Sequence, residues 1–477
     1  MTRIVIIGGG PGGYEAALIA RQLDAEVVLI ERAGIGGAAV LTDVVPSKTL
    51  LATASAMKQV QHSPQLGLGF DLLDDEGKPH VRANLASINE RVRRLAQAQS
   101  FDIRRRLEYE GVQVVDGVGK LSGPSSVIAT TDEGEQEFDA DYVLLAVGAS
   151  PRELPQAQPD GQRILTWKQL YELDEMPSKL VVVGSGVTGT EFVNAYDNLG
   201  IEVTLVSSRD IVLPGEDPDA ALVLQELFDQ RGVELITGQR AVAAKNTGDG
   251  VEVQLGDGQI VTGSHVLMAV GSTPNTTDLG LAAAGVQLTE SGHIKVDRVS
   301  RTTARGIYAA GDCTGVLPLA SVAAMQGRIA MWHALGEAVA PLDVRTVSSN
   351  VFTDPQIATV GVGQDDVDSG KVPAVSVMLP LTGNSRSKMQ ELRDGFVKIF
   401  CRPATGNVIG AVVVAPDASE LIYPLTIAVH EQISVDRLAS IFTVYPSLSG
   451  SIAEAARRLR IHDHAQTNQQ IRMTPWH

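Results

Sequence analysis

The sequence predicts an α/β protein in which one β-α-β unit is used twice, completed by an α+β domain towards the C-terminus. Two observations carry this prediction. A short run of branched apolar residues enters a glycine loop and leaves into a helical pattern near the start of the chain, and the arrangement returns farther along at one offset, 184 − 8 = 176 residues. From about Arg345 the pattern changes to strands alternating with helical segments.

Ile4 to Ile7 reads as a strand buried on both faces, Gly8-Gly9-Gly10-Pro11-Gly12-Gly13 as a tight loop, Tyr14 to Leu23 as a helix and Glu26 to Glu31 as a second strand. Asn84 to Glu110 predicts a long helix, Val112 to Asp141 short strands and turns, and Tyr142 to Val147 a buried strand before Gly148. In the second unit Leu180 to Val183 is the strand, Gly184-Ser185-Gly186-Val187-Thr188-Gly189 the loop and Val203 to Val206 the next strand. Val266 to Val270 before Gly271 resembles the stretch before Gly148. Phe396 to Phe400, Val408 to Val414 and Leu421 to His430 belong to the α+β part, and 466–477 reads as a mobile tail.

Composition narrows the function. The 477 residues carry 39 Lys and Arg against 56 Asp and Glu, a formal charge of −17, which argues against nucleic acid or an anionic membrane surface as partner. The only cysteines, Cys313 and Cys401, exclude a disulfide framework and a zinc site built on three or four thiolates. No signal-peptide layout or 18-residue apolar run is present, so the expected location is the cytoplasm. Cys313 reads as a small buried residue. His462-Asp463-His464 lacks a further ligand group, and no metal is expected.

Each glycine loop carries the chemistry of pyrophosphate binding. Gly8 would make the tight turn, Gly10 would admit the phosphates and Gly13 would let helix and strand pack closely, with the helix N–H groups as donors. Glu31, 18 residues after Gly13, stands where an acid accepts from a ribose 2′-hydroxyl. Gly184, Gly186 and Gly189 repeat the pattern, but Ser207-Ser208-Arg209 replaces the acid. A carboxylate there would repel a 2′-phosphate, whereas serines and an arginine accept one, so the second fold leans towards NADPH with NADH open. An ordinary solvated role for Arg209 also stays open. A third signal is Gly311-Asp312 after a short strand, which would place a carboxylate at the edge of a dinucleotide pocket.

These motifs resemble those of the pyridine nucleotide–disulfide oxidoreductases, which include lipoamide dehydrogenase and glutathione reductase, and the resemblance runs from Arg3 to about Arg460. It implies an FAD-binding domain over 1–150 and 275–345, an NAD(P)H-binding domain over 151–274 and a dimerisation domain over 346–465. It implies further that Asp312, with Gly311, contacts the ribityl chain, and that Gly148, Ala320 and Gly271 belong to the cofactor sites. Lys48 would lie near flavin N5, held by Glu191. A homodimer would complete each active site from the partner.

The sequence departs from that family where the thiols belong. The segment Gly36 to Lys48 aligns with the redox segment, but Ala39 and Val44 stand in the two cysteine positions. Near the C-terminus the His-Pro-x-x-x-Glu pair is replaced by Tyr445-Pro446-Ser447-Leu448-Ser449-Gly450. Both halves of the thiol machinery are missing while both nucleotide motifs remain, which implies a change of electron acceptor. Gly37-Ala38-Ala39-Val40 and the Tyr445 segment are similar to those of actinobacterial lipoamide-dehydrogenase-like NAD(P)H quinone reductases. The resemblance implies an FAD enzyme that passes a hydride from NADPH or NADH to a quinone, with Tyr445 as hydrogen-bond donor or as packing. A soluble pyridine-nucleotide transhydrogenase and a flavin-bound sensor with little turnover remain the alternatives.

Overall fold

The computed structural model describes residues 1–71, 73 and 81–460. The expected tail at 466–477 and His462-Asp463-His464 lie outside the described residues. The chain divides into two compact units. The first holds 1–53, 80–177 and 267–342, and the second 54–79, 178–266 and 343–477. The segment 151–177 thus belongs with the first glycine loop, and the region of the second glycine loop is grouped with the C-terminal region.

In the first unit five parallel strands stand in the order Ile307–Ala309, Tyr142–Leu145, Arg3–Ile7, Glu26–Glu31, Gln113–Asp116. Side chains alternate between the sheet's faces, as the two-residue period of a strand requires. Ile4, Ile6, Val27 and Leu29 pack with Ala16, Ala17 and Ala20 of the helix Pro11–Gln22, Leu107 of the helix Leu85–Tyr109, and Ala330 and Met331 of the helix Ala320–Ala334. Val5, Ile7, Val28 and Ile30 point the other way, onto Leu121, Val127 and Ala129 of an antiparallel three-stranded layer. The long helix starts where the sequence predicts: Asn84 caps it, its side-chain oxygen accepting from the Ser87 N–H at 3.0 Å.

In the second unit Lys179–Val183, Glu202–Val206 and Glu234–Ile236 form parallel neighbours. The helices Val187–Asn198 and Pro218–Gln230 follow the first two of these strands. The C-terminal part is an antiparallel five-stranded sheet, ordered Ser348–Val351, Gln356–Gly361, Val408–Ala415, Phe396–Cys401, Val375–Pro380. One apolar cluster joins this sheet to the helices Ala418–His430, Val435–Ser440 and Gly450–Arg460. Lys398 is a cation within this sheet, 3% exposed, and its ammonium sits 2.8 Å from both Asp217 and Asp219. Among the described residues no helix is long and apolar enough to cross a membrane.

Candidate active site

A cavity of about 700 Å³ opens at the C-terminal ends of the first unit's parallel strands, where ligands of open α/β sheets bind. Gly8, Gly10, Glu31, Gly148, Gly311, Asp312 and Ala320 line it. All seven are expected, Gly8, Gly10, Glu31, Gly311 and Asp312 from glycine spacing, the acid offset and the Gly-Asp signal, and Gly148 and Ala320 from the family resemblance; Ala320 opens the helix Ala320–Ala334.

The loop geometry explains the glycines. Gly8 has φ +104°, and a Cβ there would lie 2.2 Å from the Ala146 carbonyl oxygen. A Cβ on Gly13 would lie 1.9 Å from the Gly8 carbonyl oxygen, so Gly13 is required by helix–strand packing. At Gly10 a Cβ would meet no protein atom within 4 Å. The protein itself does not forbid a side chain there; the space is part of the cavity. That is the pattern a loop needs if a bound pyrophosphate approaches its backbone, and the residues fit an FAD.

Glu31 is 8% exposed, and its carboxylate accepts from the Gly9 N–H at 2.6 Å and the Ala33 N–H at 2.7 Å. These bonds hold it at the cavity wall with lone pairs to spare for a ribose hydroxyl. Gly311 has φ +82°, and its N–H donates to Gln326 Oε1 at 2.8 Å. Burial pushes the Asp312 carboxyl above its ordinary range, with His293 opposing the shift. Such a group gains from hydroxyl donors. Two contributors escaped the sequence reading. Asn275 donates from Nδ2 to the Val147 carbonyl at 3.0 Å, and its backbone N–H donates to the Gly148 carbonyl at 3.0 Å, so it clamps the Gly148 turn. Lys168 also lines the cavity, its ammonium pKa lowered by burial and by Arg32 while Asp43 pulls the other way. The polar residue after Ser272-Thr273-Pro274 was a usable signal for Asn275; nothing local marks Lys168.

The segment aligned with the redox region contributes Ala38, Ala39, Leu41, Thr42, Asp43 and Val44 to the cavity wall. Ala39 and Val44 therefore present a methyl and an isopropyl group where the family carries sulfur. Lys48 is partly buried one turn beyond Val44 on the helix Val44–His62 and is not among the lining residues. Cys313 is fully buried, its thiol donating towards the Leu145 and Ala310 carbonyls, and burial pushes its pKa up to about 12. Burial likewise pushes Cys401 up to about 11. Neither is a thiolate near neutral pH.

In the second unit the loop repeats the geometry. Gly184 has φ +113°. A Cβ on Gly189 would lie 1.8 Å from the Gly184 oxygen, and one on Gly186 would meet nothing within 4 Å. Ser207 differs from expectation. It is fully buried, and its hydroxyl lies 2.7 Å from Ser185 Oγ, accepts from the Arg209 N–H and faces the Arg209 carbonyl, each at 3.0 Å. With that hydroxyl engaged inside the loop, Ser208 and Arg209 are the exposed residues of the trio. Gly271 falls in the first unit, φ +94°, its carbonyl accepting from the Arg152 N–H at 2.9 Å; it does not line the cavity. Glu191 is 3% exposed in the second unit and accepts from the Phe352 N–H at 2.9 Å. Tyr445 is 84% exposed on the single chain.

Comparison with known proteins agrees with this architecture. Residues 2–327 match the pyridine nucleotide-disulphide oxidoreductase family model and residues 347–456 match that family's dimerisation domain. The chain is 56% identical over 473 residues to an NAD(P)H dehydrogenase (quinone) of Mycobacterium tuberculosis, covering 97% of this chain and 95% of the relative. It is 31% identical over 459 residues to a dihydrolipoyl dehydrogenase of Bacillus subtilis, covering 95% and 96%. The crystal structure of LpdA from Mycobacterium tuberculosis superposes with a TM-score of 0.92 at 56% identity, covering 96% of this chain and all of that one. A cavity built for a dinucleotide at the first glycine loop, a second loop of the same geometry and these matches lead to one conclusion: the chain belongs to the pyridine nucleotide-disulphide oxidoreductases, flavoenzymes that use FAD and NAD(P)H.

Proposed function

We propose that this flavoenzyme transfers reducing equivalents from NAD(P)H to a quinone-type acceptor without a dithiol relay, as a cytoplasmic homodimer with shared active sites. The observation that carries the reading is the cavity wall at Ala39 and Val44, two apolar side chains at the positions where a relay needs sulfur. The two buried cysteines offer no substitute. The relative from Mycobacterium tuberculosis is named as a quinone-reducing NAD(P)H dehydrogenase, which supports the same acceptor class.

FAD, when bound, supplies the two-electron chemistry that links nicotinamide to acceptor. The chain's part is binding, orientation and electrostatics. Gly8, Gly10, Gly13, Glu31, Gly148, Gly311, Asp312 and Ala320 hold FAD, with Lys48 placing a cation by its redox end. Gly184, Gly186 and Gly189 receive the nicotinamide dinucleotide, and Ser208 and Arg209 read a 2′-phosphate. Glu191 keeps the lysine oriented. Ala39 and Val44 leave an apolar wall suited to a flat ring. Tyr445, exposed on one chain, serves the site of the second subunit, where its hydroxyl donates to an acceptor carbonyl.

The test is NADPH and NADH consumption by FAD-loaded protein with menadione, with lipoamide and with neither. Fast turnover with menadione alone supports the reading. Lipoamide turnover, or no stimulation by menadione, overturns it.

A further inference from the structure

Glu191 stands in a polar network of the second unit whose hub is the partly buried Asp354. On the helix Val187–Asn198, Glu191 accepts from the Phe352 N–H at 2.9 Å, and Asn194, one turn later, accepts from the Asp354 N–H at 3.2 Å. Both residues are buried, Glu191 at 3% and Asn194 at 0% exposure. The backbone of 352–354 is therefore bonded at both ends to this helix, at Phe352 to Glu191 and at Asp354 to Asn194. Asp354 is held at two more atoms. Its carbonyl accepts from Arg231 at 2.6 Å, and its carboxylate meets the Lys58 ammonium at 2.6 Å. Arg231 is in turn bonded to Asn194 Oδ1 at 3.2 Å and lies 3.6 Å from Asp197 on the same helix. Arg231 and Lys58 thus approach the segment from two other helices, Lys58 from Val44–His62 and Arg231 at the end of Pro218–Gln230.

We infer that Asp354, held by Lys58 and Arg231, is a positioning residue for Glu191: it fixes the Phe352 N–H to which that carboxylate is tethered. No cofactor or substrate need touch Asp354. The inference rests on the proposed role of Glu191 as the residue that orients Lys48. A carboxylate with one oxygen committed to a fixed N–H has its other oxygen aimed, and loosening the tether costs orientation. The ion pair is partly desolvated, with side-chain exposures of 21% and 30%, so removing one partner disturbs the segment more than an exposed pair would.

The test is a double-mutant cycle on full-length, FAD-loaded protein, using Asp354→Asn, Glu191→Gln and the combination. Lys58→Met and Lys58→Arg are added in case Asp354→Asn fails to load flavin. Readouts are kcat and KM for NADPH, and the absorption spectrum of the bound flavin. The expected result is a fall in kcat of about 3- to 30-fold for Asp354→Asn, with KM changed less than about twofold. The double variant should be no slower than Glu191→Gln alone, because residues acting through one another are not additive. Lys58→Met should follow Asp354→Asn, and Lys58→Arg should restore most of the rate. Multiplying effects, or a full rate in both Asp354→Asn and Lys58→Met while Glu191→Gln is slow, overturns the inference. A full rate in Glu191→Gln itself overturns the role of Glu191 instead, so the two failures are distinguishable.

Discussion

The two glycine loops of this chain are the same machine with one part exchanged. At the common offset of 176 residues two backbone hydrogen bonds recur in both loops. The Gly8 N–H donates to the Ile30 carbonyl and the Gly184 N–H to the Val206 carbonyl, each at 2.9 Å; the Tyr14 N–H and the Thr190 N–H each reach back to the middle glycine of their loop. At the tip of the second strand, Glu31 accepts from the N–H groups of residues 9 and 33, and Ser207 bonds residues 185 and 209. The position keeps its structural task in both folds, organising the loop beside it. The charge differs, and with it the facing residue, Gly9 in the first loop and Ser185 in the second. A carboxylate does this work and still has lone pairs for a ribose; a serine does it and is used up. In the proposed function, a preference for the phosphorylated nucleotide comes from removing a negative charge as much as from adding Arg209.

Breaking the closest contacts should give the largest effects. Alanine at Gly13 or Gly189 drives a methyl into a backbone oxygen, at a cost of at least about 3 kcal/mol. Gly13→Ala should abolish flavin binding or folding. Gly189→Ala should purify yellow with a greatly raised KM for NAD(P)H, read by flavin absorbance and steady-state kinetics. Loss of flavin from Gly189→Ala and not from Gly13→Ala would reverse the assignment of the loops. Next in size is Glu31→Gln. It surrenders one of two charge-assisted N–H bonds, worth about 1.5–3 kcal/mol, and should weaken FAD binding about 10-fold or more by apoprotein titration.

Rebuilding the first loop in the second sharpens the comparison. Ser207→Glu alone has no room beside Ser185, so the swap needs Ser185→Gly as well. The pair of changes should lower the ratio of kcat/KM for NADPH over NADH by about 10-fold, roughly 1.4 kcal/mol, and Arg209→Gln should do so by a smaller factor. An unchanged ratio in both would return Arg209 to the role of an ordinary surface residue.

The smallest effect concerns the stretch that follows the second strand. In the first fold the helix Gly37–Leu41 and the start of Val44–His62 supply the apolar wall of Ala39 and Val44. In the second, Glu216 and Asp217 precede the helix Pro218–Gln230 and Asp219 lies in its first turn, Asp217 and Asp219 both meeting the buried Lys398. Burial and the neighbouring Asp217 push the Glu216 carboxyl up to about 7 from 4.5. Between about pH 4.5 and 7 the folded chain then holds a proton that the unfolded chain releases, so Glu216 makes stability fall as pH rises through that window. Glu216→Gln should flatten the slope and raise Tm by a few degrees at pH 7.5 with little change at pH 5, by scanning calorimetry.

The legible parts of the molecule were those governed by local constraint. Gly13 and Gly189 announce themselves because only glycine survives that contact, and Asn84 announces its helix through a bond three residues on. The substitutions at Ala39 and Val44 were readable because sulfur chemistry tolerates no replacement. What sequence could not supply depends on residues far apart in the chain. Asn275 matters because it meets Val147 and Gly148, and Lys168 because it shares a wall with Arg32 and Asp43. The residue type of Ser207 suits a phosphate and points outward, while its burial is set by Ser185, 22 residues earlier. Lys398 and Asp354 interact across separations of 181 and 123 residues, beyond any periodicity.

The central claim is that electrons leave this enzyme without passing through a thiol. The most direct test is an anaerobic single turnover. FAD-loaded protein takes one equivalent of NADPH, is freed of NADP+, and is mixed in separate runs with menadione and with lipoamide while flavin absorbance is followed. We predict that menadione restores the full flavin absorbance at one equivalent per active site and that lipoamide restores none. Recovery with lipoamide, or no recovery with menadione, would contradict the account.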